Sequence, residues 1–282
     1  MSYHISSEQL HNPILKELLG RLKSYFDSIQ LDFFVIGATA RDITLSAIHH
    51  LDIKRATRDL DIAIAIPDWR QFERISSDLT DMDGFHKSSK QKQLFWYKKD
   101  FKLDIVPFGE IAKADNNIYW PPDEEFSMSV IGFTEIVKDV ISVIIDDEIV
   151  IYVASLPGIF VLKLAAFDDR GNEENKHADD IAFIIANYLD INIDRAVQEY
   201  YSDLYEIENF TPFISGAILL GKDTSKILSE NPDVLNHFID ILQKEIEAEE
   251  ESILINQILD THSALKYDEI FEALQNLLNE LR

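Results

Sequence analysis

Cysteine is missing from the 282 residues, which excludes disulfide frameworks, cysteine-based zinc sites and thiol chemistry. Basic side chains are scarce: 26 Lys plus Arg stand against 51 Asp plus Glu, a formal net charge of −25. A uniformly acidic surface repels phosphate backbones, so generic coating of nucleic acid is not expected. No run of 18 uncharged apolar residues occurs, so no transmembrane helix is expected. The opening MSYHISSEQLHNP lacks a basic segment followed by an apolar one, so no secretory signal is expected either and the cytoplasm is the default location. The motifs G-x-S-x-G, G-x-x-x-x-G-K-[ST] and G-x-G-x-x-G are absent, against serine hydrolases, P-loop NTPases and dinucleotide enzymes. The eight histidines show neither H-x-x-x-H nor H-E-x-x-H spacing.

What is present suits a folded protein: 46% hydrophobic and 11% aromatic residues can fill a sizeable core. Charge is uneven. Residues 171–282 carry 24 acidic and 7 basic side chains, whereas residues 1–170 carry 27 and 19. Within the first half Lys87, Lys90, Lys92, Lys98, Lys99 and Lys102 fall in sixteen residues, and Lys54, Arg55 and Arg58 form a shorter cluster. Each reads either as a solvated face or as a local attractor for triphosphate or RNA.

Periodicity divides the chain near residue 155. Residues 8–30 have helical spacing, Phe33–Ile36 is a short buried strand ending at Gly37, and residues 38–50 return to a helical pattern. Residues 59–66 (DLDIAIAI) alternate as a strand; Pro67 stops it, and Asp68 with Gln71 resembles a capping box for the helix that follows. Residues 93–107 read as a hairpin, 148–154 as a strand, and Trp120 with Pro121-Pro122 as a turn. From Leu156 onward the pattern is helical, with residues 244–252 as an exposed acidic helix face. The expectation is an α+β fold, a mixed sheet with flanking helices over 1–155 followed by a helical domain over 156–282.

Alternation puts Asp59 and Asp61 on one side of their strand, opposite Leu60, Ile62, Ile64 and Ile66. Two carboxylates facing one way repel unless they are solvated or bind cations, and Mg²⁺ favours such oxygen ligands together with substrate phosphates. A wet strand edge produces the same pattern. Two features add weight to the metal reading. The preceding strand ends in Gly37, and Ala38, Thr39 and Arg41 open a helix, where backbone amides favour anions. Asp104 lies on the less apolar side of FKLDIV, and a third carboxylate completes a set able to hold two metal ions about 3.5–4 Å apart. The consecutive Phe95, Trp96 and Tyr97 split between two strand faces, leaving one exposed ring beside core packing, with base stacking as the alternative.

The segments VIGATARD (35–42), RATRDLDIAIAI (55–66), LDIVPFG (103–109), SLPGIFVLKLAAFDDR (155–170) and HADDIAF (177–183) resemble the DNA-polymerase-β-like nucleotidyltransferase superfamily, and within it the AbiEii/AbiGii-type nucleotidyltransferase toxins. The likeness spans roughly residues 33–190. It implies that Asp59, Asp61 and Asp104 ligate two Mg²⁺ ions and carry the catalysis. It places Gly37 at the phosphate turn, with Ala38, Thr39 and Arg41 following it, makes Lys163 a partner of nucleotide phosphate, and has Asp180 support the site or the acceptor; Arg58, which faces away from Asp59 in a regular strand, is either a further charge partner for phosphate or a surface arginine. Ala38 stands where the family pattern has Gly or Ser, and His177 where an acidic residue is expected. The implied reaction moves an NMP from an NTP to a hydroxyl of tRNA, protein or a small molecule, in the toxin of a toxin–antitoxin or phage-defence pair with a cognate antitoxin and no membrane partner. An aminoglycoside-type transferase, or an idle nucleotide-binding protein of the same fold, are the alternatives.

Overall fold

A computed structural model describes residues 2–51, 59–170 and 175–282. Two compact units emerge, Met1–Ile159 and Phe160–Arg282, parting inside a helix a few residues beyond the division expected from the sequence. The class is α+β.

Among the described residues of the first unit ten strands form: β1 (Ser2–Ile5), β2 (Phe33–Ile36), β3 (Asp59–Ala65), β4 (Phe85–Lys87), β5 (Leu94–Tyr97), β6 (Phe101–Phe108), β7 (Asn117–Tyr119), β8 (Ser127–Ser129), β9 (Val140–Ile145) and β10 (Ile149–Ala154). Eight of them make one mixed sheet in the order β1-β9-β10-β2-β3-β6-β5-β4, and β7 pairs with β8. The β3–β6, β10–β2 and β1–β9 pairs are parallel, the others antiparallel. One side of the central strands is wholly apolar: Leu60, Ile62, Ile64, Leu103 and Ile105 are fully buried, as period-2 alternation requires of a covered face.

Helix α1 (Pro13–Ser28) starts where Asn12 accepts a hydrogen bond from the Ile14 amide at 3.0 Å, with Pro13 in the first turn, and it buries Leu15, Leu18, Leu19, Leu22 and Phe26. After β2 comes α2 (Gly37–Asp42), and the chain then widens into a π-helical segment over Ile43–Ile48. Residues 38–50 are therefore not one regular helix; the i→i+5 turn is a tertiary choice that apolar spacing does not encode. Helix α3 (Trp69–Asp81) is capped by Asp68, whose carboxylate accepts from the Gln71 amide at 3.0 Å and from the Arg70 guanidinium at 2.8 Å. Trp120 is more than a turn residue: it is 1% exposed and packs on Trp69 and Phe72, ring centroids 4.6 and 5.0 Å away. A short helix, α4 (Phe133–Ile136), precedes β9.

Helix α5 (Leu156–Arg170) leads into the second unit, which continues as α6 (Lys176–Ile191), α7 (Ile193–Glu199), α8 (Tyr201–Tyr205), α9 (Pro212–Leu228), α10 (Pro232–Glu247), α11 (Ile253–Thr261) and α12 (Tyr267–Leu281). At its centre is α9, buried continuously from Phe213 to Gly221 and packed on α6 and α12. Gly216 permits the α6 contact, since a β-carbon there would lie 2.4 Å from the Ile185 carbonyl oxygen. The acidic stretch 244–252 differs from expectation. Glu245 is buried, and its carboxylate accepts from the Ser252 hydroxyl at 2.8 Å and the Leu254 amide at 2.9 Å, which fixes the start of α11.

Candidate active site

Backbone pairing assembles the carboxylates. Antiparallel β2 and β3 set Ile36 opposite Asp61, and parallel β3 and β6 set Asp61 opposite Asp104 and Asp59 opposite Lys102. Partners in register project to the same side, so Asp59, Asp61, Asp104 and Lys102 share the face opposite the buried Leu/Ile face. Lower on that face, Phe108 packs on Phe34 and Phe133, with centroids 6.3 and 5.7 Å apart. One end of the face is thus sealed by rings, and the other carries the acids.

The turn after β2 is built around Asp61. Gly37 has φ +67°, and a β-carbon added to it would fall 2.1 Å from Asp61 Oδ2 and 2.9 Å from its Cγ. Only glycine combines that left-handed backbone with that space. Buried Thr39 donates its hydroxyl to the Asp59 carbonyl at 2.6 Å, tying the first turn of α2 to the start of β3. Ala38, half-buried, sits between them. Arg41 is engaged by Asp42, with Nε and Nη2 donating to Oδ1 at 2.9 and 2.6 Å.

Asp104 holds its proton more tightly than a free aspartate. Burial is the main cause and the Asp59 charge adds to it, while Lys102 opposes both. Among the described residues no group of three or more His, Asp or Glu side chains stands close enough to hold a metal ion as it is. Asp59, Asp61 and Asp104 do not form such a group in the structure. Their chemistry nevertheless fits a hard divalent ion: three carboxylates on adjacent strands, one set over a turn with no side chain of its own.

Arg58, with Lys54 and Arg55, lies outside the described residues. In the second unit Lys163 and Asp180 meet each other: Nζ lies 2.5 Å from Oδ2, with the side chains 13% and 7% exposed. His177, 5% exposed, is beside them. Burial first, then the charges of Lys163, Lys176 and Arg170, push its pKa down to about 4. The sequence named Lys163 and Asp180 as separate contributors; their pairing across two helices was not readable from either motif.

The lysine run is not one cationic patch. Lys98 bonds Glu17 at 2.5 Å, Lys92 donates to the Pro121 carbonyl at 2.6 Å, and Lys87 lies over the Phe72 and Phe95 rings. Lys102 alone of the six stands beside the acids, a placement that its alternation with Asp104 in FKLDIV already contained.

No curated protein matches the chain significantly. Among known families, residues 22–279 match the one described as nucleotidyl transferase AbiEii toxin of type IV toxin–antitoxin systems. That match extends over both units and takes in the strand–glycine turn, the paired-acid strand and the Lys163 and Asp180 helices. The chain belongs to the AbiEii nucleotidyl transferase toxin family.

Proposed function

We propose that the chain transfers a nucleoside monophosphate from an NTP to a hydroxyl acceptor, and that Asp59, Asp61 and Asp104 are the catalytic and metal-holding residues. The observation carrying this reading is the β3–β6 register, which sets Asp61 opposite Asp104 beside the Gly37 turn. Two Mg²⁺ ions suit the three carboxylates, and when bound they supply charge neutralisation of the triphosphate and acidification of the acceptor hydroxyl. Asp59 and Asp61, nearest the Gly37 turn, orient the triphosphate side. Asp104 receives the acceptor proton, being the carboxylate on the strand away from the Gly37 turn and so least tied to the leaving group. The acceptor oxygen bonds to the α-phosphorus, the bond from that phosphorus to the β-phosphate bridging oxygen breaks, and pyrophosphate leaves. Gly37, Ala38 and Thr39 line the turn on the triphosphate side, with Arg41 and Arg58 as basic neighbours. In the second unit Lys163 serves nucleotide phosphate and Asp180 orients its ammonium.

As a member of a type IV toxin–antitoxin family the chain has an expected cognate antitoxin. The described helices include none long and apolar enough to cross a membrane, and we place the activity in the cytoplasm. The test is incubation with each α-labelled NTP and Mg²⁺, separately with total RNA, cell protein and aminoglycosides. Label should move to one acceptor class, stop on chelation by EDTA, and be lost in Asp59→Asn and Asp61→Asn. Transfer that survives both substitutions refutes the site.

A further inference from the structure

The strand register carries the acidic face further than the acids themselves. Across β3, β6, β5 and β4 one row of directly paired residues runs Asp59, Lys102, Trp96, His86, and the adjacent row over β2, β3, β6 and β5 runs Ile36, Asp61, Asp104, Leu94. Paired residues share a side of the sheet. Trp96 therefore stands on the carboxylate face, two strands from Asp59, or roughly 10 Å at the usual strand spacing.

The other two tryptophans are committed to packing: Trp69 and Trp120 lie against each other and against Phe72. The rings flanking Trp96 in sequence, Phe95 and Tyr97, are fully buried on the opposite side. Trp96 stays half-exposed, with Lys102 Nζ 5.9 Å from its ring centroid, and Lys102 and His86 are exposed. An aromatic face with an ammonium at its side, next to acids, is matched to a flat ring joined to a phosphate. Its position selects which ring. The Gly37 turn is on the β2 side of Asp61, whereas Trp96 lies beyond Asp104 on the far side.

We propose that Trp96 and Lys102 are specificity-determining residues for the acceptor: the Trp96 indole stacks on a nucleobase at the 3′ end of a single-stranded RNA, and Lys102 takes the adjoining phosphodiester. The assignment of sides rests on the transfer reading above; the stacking itself does not. The pairing also gives acceptor recognition to a cation inside a strongly acidic chain, since Lys102 offsets Asp59 and Asp104 where an RNA phosphate must approach them.

Binding is read by fluorescence anisotropy with a short 5′-labelled oligouridylate in the presence of Mg²⁺, using the full chain in the Asp59→Asn background so that no turnover intervenes. Trp96→Ala should weaken binding at least about tenfold and Trp96→Phe much less, as stacking on any ring requires. Lys102→Ala should weaken it as well and reduce the slope of log Kd against log salt by about 0.7, the value for one single-strand phosphate contact. In the Asp59 wild type, the same Trp96→Ala change should raise KM for RNA and leave KM for NTP unchanged. Melting curves keep loss of fold apart from loss of contact, and Trp96→Phe serves where the alanine variant unfolds. Oligouridylate binding that ignores Trp96→Ala, absent binding by the parent, or an equal rise in both KM values overturns the proposal. Trp96-dependent binding without any nucleotidyl transfer would instead sink the catalytic reading and leave the platform standing.

Discussion

Asp104 shows at a single residue how the proposed site works against stability. Its folded-state proton affinity is raised, chiefly by burial and then by Asp59. Between the ordinary carboxylate range and that raised value the folded chain binds more protons than the unfolded one, so stability falls as pH climbs through that window. At neutral pH the ionised group is a net cost. Asp104→Asn should therefore raise the melting temperature by a few degrees while abolishing transfer, and MgCl₂ should stabilise the wild type more than this variant. His177 works in the opposite direction on the pH scale. Its pKa is pushed down to about 4 by burial and by Lys163, Lys176 and Arg170, against about 6.5 when unfolded. Its contribution is complete above about 6.5 and is lost as pH falls towards 4. Denaturant titrations from neutral to acid pH should show a shallower fall for His177→Gln than for wild type.

Elements differ in how plainly the sequence announces them. Where α9 crosses α6, Gly216 is pressed against the Ile185 carbonyl, so Gly216→Val should destabilise the chain by about 1–3 kcal/mol, read as a lower urea midpoint at unchanged m-value. Nothing local marks that glycine, because its need arises from a helix thirty residues earlier. Strand β3 was legible because Leu60, Ile62 and Ile64 alternate with the acids, and the β5–β6 hairpin because its strands are short and adjacent. Strand β1 was not, since Ser2–Ile5 pairs in parallel with β9, about 140 residues away, and no local period signals such a partner. The candidate site divides the same way. Asp59, Asp61 and Asp104 declared themselves through period-2 alternation, whereas the Lys163–Asp180 pair and Asp42's hold on Arg41 depend on side-chain geometry. Trp120, read as a turn because two prolines follow it, entered the core because Trp69 and Phe72 offered it rings.

At the scale of the whole chain, a net charge of −25 loads the folded state with self-repulsion. Raising NaCl from low to moderate concentration should increase the melting temperature, because screening shortens the reach of that repulsion to about 10 Å at 0.1 M. Half of the lysine run is engaged at the surface, on Glu17, a carbonyl and two rings, with Lys102 left among the acids. Gly37 has a consequence in genetics. Every amino acid one base change away from glycine brings a β-carbon, and here any β-carbon collides with Asp61. In a population poisoned by this protein, survivors that still make the full-length product should accumulate replacements at codon 37, and sequencing such escapees would reveal how narrow a path disarms the toxin.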